Sequence, residues 1–220
     1  ILAALESGQF DVNSKIDTSP GYIKVANKIF DDSNDYGLLD LGGVLRKSSQ
    51  VGTTKLALAL NPESTRELFA RMGFGESLGS GFPGETAGSL PAHRNWDPVT
   101  QATFAFGYGL SVSPLQLARA YAILASNGQR KDISLLAIEG PPESVKVADA
   151  ELVKQVRQML HDASSDQGTG KRAMIEGYSV GGKTGTARKT KATGGYDENR
   201  HMSVFAGLSP IDKPRLVTVV

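Results

Sequence analysis

The run "LDLGGVLRKSSQVGTTKLALAL" (Leu39–Leu60) sets apolar pairs at helical spacing and breaks them once, at Ser48-Ser49-Gln50 and Gly52. That pattern predicts two helices meeting at a short polar turn. "ILAALESG" reads as the end of a helix, with Leu2, Leu5 and alanines on its apolar face and Gly8 as its stop. In "NPESTRELFARMG", Asn61 can accept a bond from the first-turn amides, Pro62 suits the first helical position, and Gly73 ends the helix. "SPLQLARAYAILASNG" carries the fullest helix signature: Ser113 and Gln116 form a capping box, Pro114 opens the helix and Gly128 closes it. A further amphipathic helix is predicted over about Ala148–Ala163. The polar stretch from Asp11 to Asp40 offers one short strand, Tyr22–Val25, and Gly75–Pro98 is a loop rich in Gly and Pro. "YSVGGKTGTAR", "HMSVFAGL" and "RLVTVV" read as strands with short connections, which predicts an antiparallel sheet. No internal repeat or low-complexity segment interrupts this order.

Composition changes this picture little. The chain has 220 residues, 40% hydrophobic and 21% charged, enough to bury a substantial core as one large domain or two small ones. With 24 basic and 23 acidic residues the net charge is +1, so no field of one sign exists to recruit nucleic acid or an acidic membrane face. The basic cluster Arg188–Lys191 lacks interleaved aromatics and reads as a solvated loop or strand end. Absence of cysteine excludes disulfides, thiol catalysis and cysteine-ligated metals. The three histidines, His93, His161 and His201, have no ligand spacing, so no metal site and no cofactor are expected. No apolar run approaches the ~18 residues of a membrane span. The chain starts without an initiator Met or signal peptide and stops inside a predicted strand. Both ends are therefore expected to be cut, with an anchor or further domains beyond them.

The chemistry gathers at "GYSVGGKTGTARK" (Gly177–Lys189), which admits two incompatible readings. From Gly177 it spells G-x-x-x-x-G-K-T, a phosphate-cradling loop, which must follow a buried strand and open a helix. Neither flank fits: "KRAMIEGYSV" is too polar for a central strand, and "GTARKTKATGG" cannot easily start a helix. From Lys183 it spells K-T-G-T, the third element of the set S-x-x-K, S-x-N, K-T-G that marks penicillin-recognising serine enzymes. In that chemistry a serine attacks an amide carbonyl while a basic group moves its proton. A cation with neighbouring hydroxyls holds the substrate carboxylate, and a glycine lets the strand backbone come close. Ser48-Ser49-Gln50 resembles S-x-N with Gln in place of Asn. Read alone, Ser48 is equally a helix cap. S-x-x-K is absent from the 220 residues.

The resemblance extends beyond these motifs. "GYIKVANKIFDD…YGLLDLGGVLRKSSQVG", "ATFAFGYGLSVSPLQLARAYAILASNG" and "GGKTGTARK…GGYDENRHMSVFAGLSP" resemble the transpeptidase domain of class B penicillin-binding proteins, most of all the septal penicillin-binding protein 3 (FtsI-type) group. The similarity runs over essentially the whole chain, with "ILAALESG" as the continuation of the family's S-x-x-K-P helix. It implies one transpeptidase domain over residues 1–220, truncated at both ends, with the nucleophile just upstream of Ile1. The implied fold is α/β (α+β), like that of serine β-lactamases: a five-stranded antiparallel sheet flanked by helices, and an all-helical lobe over roughly residues 35–165. Ser48 then corresponds to the family's proton-relaying serine and Gln50 to the residue that binds the acyl-donor amide. Lys183 resembles the strand lysine that tunes the site. Thr184 and Thr186 resemble its carboxylate-binding hydroxyls, Gly185 the close-approach glycine, and the Thr186 amide half of an oxyanion hole. Tyr108 resembles the aromatic lining the cleft; its plain alternative is ordinary core. Arg188 reads rather as a strand-edge solubiliser than as a carboxylate ligand, and His201 sits where the group often has a loop aromatic.

The implied activity is a D,D-transpeptidase that cross-links peptidoglycan stem peptides through a serine acyl-enzyme and is acylated by β-lactams. Implied partners are a septal glycosyltransferase and divisome membrane proteins, at the periplasmic face of the inner membrane. Two alternatives remain open: a β-lactamase, disfavoured because no E-x-x-L-N-like loop lies between Ser48 and Lys183, and a divergent paralogue or non-catalytic sensor that binds β-lactams or peptides.

Overall fold

The computed structural model describes residues 1–92, 96–191 and 194–220, apart from the side chain of Glu198. Its sheet consists of β7 (Gly181–Thr190), β8 (Tyr196–Ser209) and β9 (Leu216–Val219), antiparallel and in the order β7-β8-β9. Three strands therefore stand among the described residues where five were expected. The remaining strands form two-stranded antiparallel ribbons: β1 (Ile16–Asp17) with β4 (Leu38–Leu39), β2 (Tyr22–Val25) with β3 (Lys28–Asp31), and β5 (Gln129–Lys131) with β6 (Ser144–Lys146).

The helices follow the apolar periodicity. They are α1 (Leu2–Glu6), α2 (Leu41–Lys47), α3 (Gln50–Ala59), α4 (Pro62–Arg71), α5 (Pro98–Phe104), α6 (Pro114–Ala125) and α7 (Ala150–Ala163). Each helix from α2 onward opens with a side chain accepting a first-turn amide: Asp40, Ser49, Asn61, Asp97, Ser113 and Asp149. Such a cap contributes about 0.5–2 kcal/mol. The expected capping box of Ser113 and Gln116 is present, and the buried Gln116 amide also donates to the carbonyls of Glu76 and Ala87. Gly8 and Gly73, read as helix stops, adopt φ of 68° and 89°.

The region 35–165 is mainly helical rather than all-helical, because the β5–β6 ribbon and β4 lie within it. Helix α5 escapes the sequence reading: at seven residues it is too short for a periodic signal, despite Asp97 and Pro98 at its start. Strand β3 escapes it too, since Lys28 and Ile29 are both exposed and only Phe30 turns inward.

Helix α7 buries Val153, Val156, Met159, Leu160 and Ala163 along one stripe and packs against α2 and β7. Helix α6 packs beside it on β8 and β9. One apolar cluster joins Leu2 and Leu5 of α1, Leu41 and Val44 of α2, Val153 and Leu160 of α7, and Leu208 of β8. Burying each such side chain stabilises by about 1.5–3 kcal/mol. The glycines that open β7 serve this packing: a Cβ on Gly181 would run into Ile211 and stand 3.0 Å from the His161 amide nitrogen. A strand without side chains there can lie flush against α7, which carries Lys183 into the space before α2 and α3.

Candidate active site

Helix α2 ends at Lys47 and α3 begins at Gln50, so the polar break in the sequence becomes a two-residue corner. Ser49 is the residue that caps α3, accepting the Gly52 amide at 2.8 Å. Ser48 is the C-cap of α2, held left-handed at φ 53° and ψ 41°. A residue with a β-carbon adopts that conformation only where its surroundings hold it. The cap role read for Ser48 thus passes largely to its neighbour. Ser48 presents its hydroxyl to β7 instead.

There Lys183 Nζ donates to Ser48 Oγ at 2.5 Å and to the carbonyl of Thr184 at 2.8 Å. Burial strips water from the ammonium and pulls its pKa below the ordinary lysine value. The Thr184 hydroxyl donates to Thr169 Oγ1 at 3.1 Å, and Thr169 Oγ1 lies 3.4 Å from Ser48 Oγ. Lys183, Ser48, Thr169 and Thr184 therefore form a closed polar ring. Thr169 was not foreseen. It stands in "SDQGTGKR", a polar loop with no periodicity, and only the packing of α7 on β7 delivers it.

Ser48, Gln50, Tyr108, Lys183, Thr184, Gly185 and Thr186 all line one cavity of about 510 Å³, and Ile1 at the head of α1 lines it as well. Every residue expected at the site is therefore gathered there. Tyr108 is half-buried at the cavity wall, which excludes the plain core reading. Its ring stands edge-on to Phe106 at 6.0 Å and to Tyr196 of β8 at 4.9 Å, while Phe106 meets Phe30 of β3 at 5.6 Å. Tyr196 and Phe30 were missed because each belongs to a segment far away in sequence.

Arg188 and His201 pair across β7 and β8, are exposed, and do not line the cavity. His93 lies outside the described residues, and His161 bonds the Val180 carbonyl through Nδ1 at 2.9 Å. The phosphate-loop reading fails on geometry. Residues 181–190 continue as a strand, so no helix N-terminus follows Lys183 to face a phosphate.

The model of the penicillin-binding protein transpeptidase domain matches residues 1–220. The chain belongs to the penicillin-binding protein transpeptidase family. Among curated relatives, it is 39% identical over 220 residues to the probable peptidoglycan D,D-transpeptidase PenA of Neisseria flavescens, covering all of this chain and 54% of that protein. It is 36% identical over 220 residues to the peptidoglycan D,D-transpeptidase FtsI of Escherichia coli K12, covering all of this chain and 37% of that protein. Among solved structures, the transpeptidase domain of Burkholderia pseudomallei penicillin-binding protein 3 superposes with a TM-score of 0.94 at 36% identity, over 99% of this chain and 66% of that one. The fold is therefore the α+β fold of penicillin-binding transpeptidases. The chain spans about half or less of the length of these two curated relatives.

Proposed function

We propose that this chain forms the cleft of a class B peptidoglycan D,D-transpeptidase, which cross-links stem peptides through a serine acyl-enzyme during septal wall synthesis and is acylated by β-lactams. The observation that carries this reading is the hydrogen bond from Lys183 to Ser48 inside a cavity that also holds Gln50, Tyr108 and the Thr184–Thr186 segment. Lys183 keeps a donor on Ser48 Oγ, so the serine proton is free to point away from the lysine toward the reacting serine. The nucleophile would come from the segment preceding Ile1, whose residue already lines the cavity. Gln50 would bind the amide of the acyl donor. Thr184 and Thr186 would bind its terminal carboxylate, and the Thr186 amide would face the oxyanion. Among the described residues no strand pairs the outer edge of β7, so an extended peptide would add there alongside Gly185, where no β-carbon intervenes. In this reading the protein is anchored at the periplasmic face of the inner membrane and works with a septal glycosyltransferase and divisome membrane proteins. Among the described residues no helix is long and apolar enough to cross a membrane.

Replacing Lys183 by Ala in the full-length protein is expected to slow acylation by a penicillin more than tenfold, about 1.4 kcal/mol or more of lost transition-state stabilisation. Stopped-flow labelling with a fluorescent penicillin measures it. Unchanged acylation would remove Lys183 from the mechanism, and no acylation of the unmodified protein would favour the non-catalytic paralogue.

A further inference from the structure

We infer that Asp32, just beyond β3, is a positioning residue that fixes the Ser48–Gln50 corner and with it the hydrogen bond between Ser48 and Lys183; this rests on the transpeptidase reading of the cleft. The carboxylate takes three bonds from that corner. Oδ2 accepts from Ser49 Oγ at 2.5 Å, and Oδ1 accepts from the amides of Gln50 at 2.6 Å and Val51 at 3.2 Å.

A helix start leaves its first amides without carbonyl partners. At α3 each is accounted for: Gln50 and Val51 bond Asp32, Gly52 bonds Ser49 Oγ, and Thr53 bonds the Ser49 carbonyl at 3.1 Å. Ser49 by itself serves the amides of Gly52 and Thr53 and leaves those of Gln50 and Val51 to Asp32. Asp32 adds a fixed point from another element, directed at the peptide that links the two cavity residues Ser48 and Gln50. On the other side of the corner, the amides of Ser48 and Ser49 bond the carbonyls of Leu45 and Val44. The left-handed Ser48 is thus clamped between the last turn of α2 and the carboxylate beyond β3. Rotation about Ser48 would move its hydroxyl off Lys183, and displacements of about 1 Å at such a site cost up to ~100-fold in rate.

The β2–β3 hairpin is a firm support for that clamp. The Asp32 amide donates to the Gly21 carbonyl at 2.9 Å, and Phe30, two residues before it, is buried. Phe30 also meets Phe106, whose ring adjoins Tyr108 on the cavity wall. One hairpin therefore braces the hydroxyl corner by a carboxylate and the aromatic wall by a ring.

The experiment uses the full-length protein and resolves penicillin acylation into the pre-acylation dissociation constant and the first-order acylation constant. Asp32→Asn keeps size but has one acceptor oxygen instead of two, so it can accept from the Ser49 hydroxyl or from the amides of Gln50 and Val51 and not from both, and it loses the charge that strengthens these bonds. We expect the first-order constant to fall about tenfold with the dissociation constant changed less than about twofold, and a near-normal melting temperature. In a Ser48→Ala background the same change is expected to cost less than about twofold further, since the two act as one unit. An equal loss in both backgrounds, or no loss in the parent, overturns the inference while leaving the transpeptidase reading intact. Should the unmodified protein fail to acylate, the functional reading falls first and the inference with it. Where Asp32→Asn fails to fold, Ser49→Ala, which spares the two amide bonds, replaces it and is judged by the same constants.

Discussion

Gln50 lines the cavity with its side chain exposed while Asp32 holds its amide. Its Cα is therefore placed as firmly as an asparagine's would be, and the difference from S-x-N lies beyond Cβ. One more rotatable bond raises the entropy cost of ordering the amide, and the longer chain must fold back to reach the same point. The expected loss is on the order of one hydrogen bond, ~0.5–1.5 kcal/mol. Gln50→Asn in the full-length protein should accordingly speed acylation by penicillins several-fold with little change in melting temperature. Stopped-flow rates decide it, and an equal or slower variant would mean that Gln50 fits a ligand of its own. Ser48 and Gln50 follow from the S-x-N pattern, whereas the left-handed backbone and the acceptor on Asp32 depend on how the β2–β3 hairpin packs against the α2–α3 corner, 17 to 19 residues further along the chain.

Elements in this molecule are closed by short polar devices as much as by core packing. The loop after α4 shows it best. The Glu85 carboxylate accepts from the amides of Leu78, Gly79 and Ser80 and from the hydroxyls of Ser77 and Ser80. Those bonds, led by the serine hydroxyls, lower its pKa from the ordinary 4.5 to about 2. A carboxyl depressed in the folded state stabilises above its unfolded value, and that contribution is lost as protonation sets in. The contribution of this loop is thus present above pH 4.5 and fades as pH falls toward about 2. Thermal melts across that window should show a steeper acid loss for the parent protein than for Glu85→Gln, which has no charge to lose. Equal slopes would show that other carboxylates carry the acid response. This closure is not legible in the residues, because a Gly- and Pro-rich loop has no period and Glu85 reads as one more exposed acid.

At the scale of the whole molecule, the cleft is made where α2, α3 and the loop after α5 face the edge of β7, and no serine-x-x-lysine lies in the chain that builds it. Residues 1–220 by themselves should therefore remain unlabelled by a fluorescent penicillin on a denaturing gel. A covalent label would place the nucleophile within them and undo the assignment of Ser48 as a relay. What the sequence determined by itself is what local physics decides: the helices other than α5, through apolar period and caps; the strands β7–β9, through alternation; and the motif residues Lys183, Thr184 and Ser48, because short motifs keep their spacing. Tertiary structure alone decided the rest. That Lys183 meets the hydroxyl of Ser48, 135 residues away, turned on the packing of β7 before α2 and α3. Thr169, Asp32, Phe30 and Tyr196 joined the site only when distant segments packed together. A hydrogen bond or a ring contact between such segments depends on where the core brings them, and neither residue carries that information in its own neighbourhood.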